Sequence, residues 1–130
     1  MRLARHALAL ALLLLVATHV RADERILAWR SDIRVRPDST LEVTETLRVR
    51  AEGDEIRRGI LRDFPTTYVN RRGERVVTGF DVLRVTRDGN IEPHATERMA
   101  NGVRVRIGSA DVYLDPGVYT YTIVYRTDRQ

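Results

Sequence analysis

The sequence predicts an all-β, antiparallel domain behind a short apolar leader, and three observations carry that expectation. Beyond residue 22 the apolar residues recur with a period of two and not with the 3.6 of a helix. Turn chemistry punctuates them at Pro37-Asp38-Ser39, Glu52-Gly53-Asp54, Asp88-Gly89-Asn90, Asn101-Gly102 and Asp115-Pro116-Gly117. No amphipathic segment between them could serve as a crossover helix, so the strands are expected to pair antiparallel.

The leader is residues 1–22. Arg2 and Arg5 make it positive at the start, Ala7 to Ala17 is an unbroken apolar run, and Val20-Arg21-Ala22 resembles a small-residue cleavage site. That is the grammar of a helical secretory signal peptide. A membrane-spanning helix needs about 20 apolar residues, whereas Thr18, His19 and Arg21 close this run after eleven. Cleavage after Ala22 is expected, with an uncleaved anchor as the alternative. Residues 23–130 then form one domain at the periplasmic or extracytoplasmic face.

Cleavage removes Arg2, Arg5 and Arg21 from a chain whose 22 basic residues are all arginine, leaving 19 against 18 carboxylates. Basic and acidic residues are interspersed, so nucleic-acid binding, which needs a strongly basic surface, is not expected. With no cysteine, disulfides, thiolate catalysis and cysteine metal sites are excluded. An exported domain of this size must then rely on a single modest apolar core.

The elements follow in order. A first strand spans about 25–36, with Ile33 and Val35 on one face against Asp32, Arg34 and Arg36. The second, 40–51, is the clearest: Leu41, Val43, Leu47, Val49 and Ala51 share one face, and only Glu45 interrupts the row. A less regular stretch covers 56–65. In the run from 75 to 87 alternation slips at Val76-Val77 and Val82-Leu83, the mark of a bulge or of a strand that changes sheet near Gly79. Asn101-Gly102 suits the centre of a type I′ turn and leads into Val103, Val105 and Ile107. From 118 to 125 both faces are bulky, which suits a strand covered on both sides. With the chain running only five residues past Tyr125, that strand is expected at an open edge of an incomplete sandwich.

Catalytic machinery is sparse. His94, beside Pro93, is the only histidine beyond the leader and reads as a loop residue. Glu42 and Glu45 lie on opposite faces of one strand and cannot flank one bond, even with Asp63 nearby. The pairs Asp54/Glu55 and Asp111/Asp115 lack the alternating oxygen ligands of a calcium loop. Neither a metal nor a cofactor is expected.

Two features stand out. Glu45 in an apolar row needs a partner, since a buried unpaired carboxylate is costly. Arg58 and Arg62 in the irregular stretch are the candidates, so Glu45, Arg58, Arg62 and Asp63 form the candidate structural or partner-contact cluster. The tyrosines Tyr119, Tyr121 and Tyr125 read as core and sheet packing, with one hydroxyl able to bond back to a turn. An aromatic strip for sugar or peptide is the alternative.

The stretch Arg58-Gly59-Ile60-Leu61-Arg62-Asp63-Phe64-Pro65 resembles the family of predicted bacterial membrane proteins known as domain of unknown function 2207. Ser31-Asp32-Ile33, Val43-Thr44-Glu45-Thr46 and Leu114-Asp115-Pro116-Gly117 with Tyr119-Thr120-Tyr121-Thr122-Ile123 extend the likeness over nearly all of the chain after the leader. The resemblance implies a signal sequence, an extracytoplasmic β-sandwich region and later transmembrane helices; it supplies no mechanism. The expectation is thus an immunoglobulin-like sandwich, truncated at its C-terminal end, acting without catalysis in envelope recognition or assembly. Its partner would be a protein or another envelope component. Membrane association would come through an uncleaved leader or through helices beyond residue 130. A structural spacer is the runner-up, and a carboxylate-dependent enzyme comes third.

Overall fold

The computed structural model describes residues 23–128. The expected signal peptide, residues 1–22, lies outside the described residues. Ten strands follow one another: β1 Arg25–Val35, β2 Leu41–Ala51, β3 Gly59–Pro65, β4 Thr67–Val69, β5 Arg75–Val77, β6 Phe80–Arg87, β7 Asn90–Ile91, β8 His94–Met99, β9 Gly102–Gly108 and β10 Gly117–Thr127. All pairings are antiparallel. The larger sheet runs β1-β2-β10-β6-β7, the smaller β3-β9-β8, and β4 with β5 forms a separate hairpin.

The two main sheets share one core. Leu47, Val49, Val85, Tyr121 and Ile123 of the larger sheet meet Phe64, Val105 and Ile107 of the smaller, all nearly inaccessible to solvent. The period-two pattern of β2 explains this, because its odd-numbered residues from Val43 to Ala51 are all buried. In β10 the same parity buries Tyr121, Ile123 and Thr127.

Several expectations change. The strand from 118 to 125 is not at an edge: β10 pairs with β2 on one side and β6 on the other. Its bulk on both faces belongs to the centre of a sheet, and the edge strands of the two main sheets are β1, β7, β3 and β8. The less regular stretch contains the regular strand β3, whose alternation was hidden because an arginine, Arg62, points inward between Ile60 and Phe64. His94 begins β8 instead of lying in a loop; that strand is exposed throughout, so no apolar row announces it. Met99 pairs with Gly102, which makes Ala100 and Asn101 the turn residues. Neither has positive φ, so this is not the expected type I′ turn. Gly102 answers another need, since a Cβ there would lie 2.0 Å from the Phe64 carbonyl oxygen.

Other expectations match the fold. The chain leaves the β4–β5 hairpin and enters the larger sheet through Thr78-Gly79, and the register of β6 against β10 shifts between Val124 and Tyr125, beside Leu83. Asp88 and Gly89, with φ of 50° and 84°, make a two-residue hairpin turn.

Candidate functional site

Glu45 sits on β2 where the row of inward side chains would otherwise be apolar, with its side chain only 4 % exposed. Arg62, from β3 of the opposite sheet, donates through Nε to Oε2 and through Nη2 to Oε1, both at 2.9 Å. The Tyr125 hydroxyl of β10 donates to Oε1 at 3.2 Å. The arginine fork and carboxylate thus form a bidentate bridge between the two sheets. Arg62 also donates to the Asp63 carbonyl oxygen at 2.8 Å.

Aromatic rings surround this bridge. The guanidinium lies 4.5 Å from the Phe64 centroid and 5.1 Å from that of Trp29. Phe64, Phe80 and Tyr125 form a mutual triplet with centroids 4.5 to 5.1 Å apart. Burial, reinforced by the negative Glu45, pushes the Tyr125 hydroxyl above the usual phenol range, with Arg62 pulling it back. The hydroxyl therefore remains a donor. Each oxygen of Glu45 is already engaged, and the constellation holds the two sheets together.

The cluster read from the sequence divides. Glu45 and Arg62 come together. Arg58 does not join them: it donates to the Tyr113 hydroxyl and stacks 4.4 Å from that ring. Asp63 points to the other face of β3, where Arg104 grips it bidentately at 2.7 and 2.8 Å and holds its carboxyl below the usual range. Odd and even neighbours on a strand face opposite ways, which is why Arg62 and Asp63 separate. The tyrosines divide likewise. Tyr119 donates its hydroxyl to the Asp115 carbonyl oxygen four residues upstream, at 2.6 Å, and burial lifts the Tyr121 hydroxyl to about 12.

Beside the bridge runs an open groove of about 510 Å³, lined among others by Ile26, Trp29, Ile56, Ile60, Leu61 and Arg62. Its wall is β1. Register with β2 places Ile26, Trp29, Ile33 and Val35 on the inner face of the sheet, yet they are 58 to 72 % exposed. The smaller sheet ends at β3 and leaves them uncovered. The apolar row is left open to solvent, and where it lines the groove, at Ile26 and Trp29, it meets β3, the edge strand of the smaller sheet.

Two further carboxylates carry structure without a signal in the sequence. Glu24 accepts four backbone N–H groups, from Glu52, Asp54, Glu55 and Ile56, at 2.6 to 3.1 Å. Partial desolvation pulls its pKa up, but these donors outweigh that effect and bring it down to about 2. Glu92, buried, lies 3.1 Å from Arg87. Nothing in a linear pattern marks a carboxylate whose partners lie some thirty residues away. Among the described residues no group of three His, Cys, Asp or Glu could hold a metal ion, and no helix is long and apolar enough to cross a membrane.

The chain is similar to the uncharacterized protein YciQ of Escherichia coli (strain K12). They are 26 % identical over 104 residues, 80 % of this chain but 16 % of that protein. No solved structure matches. The Arg58–Pro65 stretch that carries the family resemblance is the strand that forms the bridge and borders the groove. Residues 25–130 match the N-terminal domain of the family described as predicted membrane protein DUF2207, and the chain belongs to that family.

Proposed function

We propose that this domain is a non-enzymatic, extracytoplasmic module of immunoglobulin-like build that serves envelope recognition or assembly by accepting an extended strand along β3. The carrying observation is the apolar row of β1 above the free edge of β3. A strand added there would gain main-chain hydrogen bonds and cover Trp29, Ile33 and Val35. The occupant is a strand of a longer polypeptide, a reading supported by the match to only 16 % of the length of its relative. The Tyr119 hydroxyl bonded back to Asp115 resembles the tyrosine corner of immunoglobulin-like domains. Export rests on residues 1–22, with the mature chain beginning at Asp23; intact mass of the exported protein checks this.

Sedimentation and hydrogen exchange test the open edge. Alone, the chain should self-associate as concentration rises, with rapid exchange at the free-edge amides of β3, and Ile33→Lys with Leu61→Lys should suppress association. Within a longer polypeptide that supplies the strand, it should be monomeric with β3 protected. A strictly monomeric chain whose β3 amides are all as protected as those of β9 would sink the proposal and leave a structural spacer.

A further inference from the structure

The outer face of the larger sheet, away from the core and the groove, has an electrostatic character of its own. Register fixes which residues it presents: Arg25, Arg30 and Arg34 from β1, Arg48 and Arg50 from β2, Arg84 from β6 and Arg126 from β10. Only Asp32, Glu42 and Asp81 oppose them among the charged residues of those strands. Seven arginines against three carboxylates leave an excess of four positive charges, whereas the other described residues carry eleven arginines against fifteen carboxylates. The balanced composition of the domain therefore hides a segregation of charge.

The three carboxylates gather at one end of the face. There Asp32 binds Arg30 at 2.9 Å, and Glu42 binds Arg36 at 3.2 Å and Arg126 at 3.7 Å. At the other end Arg25 and Arg50 are direct cross-strand partners, with Arg48 next along β2 on the same face. Like charges placed opposite each other in a sheet repel. None of the three forms an ion pair with a described residue, and Nε of Arg50 is buried without a hydrogen-bond partner. Between the two ends lie Thr44, Thr46, Thr120 and Thr122, small side chains that keep the sheet surface low.

We propose that this face docks on an anionic membrane surface, with Arg25, Arg48 and Arg50 as the primary contacts to lipid phosphates. Guanidinium groups suit phosphate oxygens through paired N–H donors. A broad, low sheet brings several of them to one plane at once. The groove and the β3 edge remain clear of that plane, because they lie on the opposite side of the sheet.

The test is co-sedimentation of the exported chain with phosphatidylcholine vesicles containing 30 mole per cent phosphatidylglycerol, and with pure phosphatidylcholine vesicles as the baseline for any retained leader. Binding should require the anionic lipid, fall steeply with added salt, and survive 10 mM inorganic phosphate. Arg25→Gln with Arg48→Gln should weaken it by at least about tenfold, while Arg71→Gln with Arg72→Gln, equal in charge change but on a distant loop, should change it by less than about twofold. Both double variants are exposed substitutions, and circular dichroism confirms their folding. No anionic-lipid dependence, or equal loss in both pairs, overturns the proposal. So does full competition by phosphate, which would mean a site for the free ion, and so does retention on duplex DNA without retention on vesicles.

Discussion

Removing the Arg62 guanidinium would strand a carboxylate inside the core, and the structure sets the size of the effect. The Glu45 side chain is 4 % exposed and that of Arg62 25 %, so the pair is largely but not wholly desolvated. In Arg62→Ala both 2.9 Å hydrogen bonds vanish and Glu45 keeps only the Tyr125 hydroxyl at 3.2 Å. Breaking a buried pair costs about 3–5 kcal/mol, and the partial exposure of Arg62 places this case near about 3 kcal/mol. Glu45→Ala leaves the partner that can turn toward water, so about 2 kcal/mol is expected. The double mutant strands no charge and should fall short of the sum by on the order of 2 kcal/mol. Glu45→Leu with Arg62→Met, an apolar pair of similar volume, should be near neutral or stabilising. Urea midpoints at unchanged slope measure all four proteins. Additive losses below about 1 kcal/mol each would refute a desolvated unit linking the sheets.

Gly59→Ala places a Cβ 1.8 Å from the Ile107 carbonyl oxygen, and should cost about 2–3 kcal/mol by forcing β3 off β9, whereas Gly53→Ala, with open space around it, should cost about 1 kcal/mol. Glu24 has its folded pKa lowered from 4.5 to about 2, so its stabilising contribution is full above pH 4.5 and disappears as pH falls toward 2; Glu24→Gln should flatten that acid limb and speed exchange of the amides of 52–56. Tyr121, lifted from 10.0 to about 12 by burial, favours its neutral form in the fold, so stability is present below pH 10 and lost as pH rises toward 12. Absorbance at alkaline pH should show its ionisation coinciding with unfolding, and Tyr121→Phe should remove that component.

How far the sequence disclosed this molecule depends on parity. Strands whose inward residues are apolar were legible, β2 above all, and the interruption at Glu45 pointed correctly to an arginine in 56–65. Choosing between Arg58 and Arg62 required knowing that β3 is regular, and its inward arginine concealed that regularity. β8 offered no apolar row, and so left no trace. The sequence also could not place β10, because bulk on both faces fits a central strand as well as one awaiting neighbours. Charge segregation was invisible for a related reason: alternating arginines and carboxylates cancel in a running count, and only the register shows that they fall on different surfaces.

The position of β10 also governs when the fold can exist. The register of β10 with β2 joins Val49 to Tyr119 and Val43 to Tyr125, contacts separated by most of the domain. Such pairings must overcome a large loop-closure entropy before they gain anything, and domains dominated by them fold in milliseconds to seconds. On any route by which the chain appears N-terminus first, the β1–β2 hairpin emerges early and waits, its inner face bare, for the last eleven-residue strand to arrive. The centre of the larger sheet is the last strand of this domain to appear, so the sheet closes only once residues 117–127 are available, and a chain stalled before residue 117 has two edges where a stable sheet needs a middle.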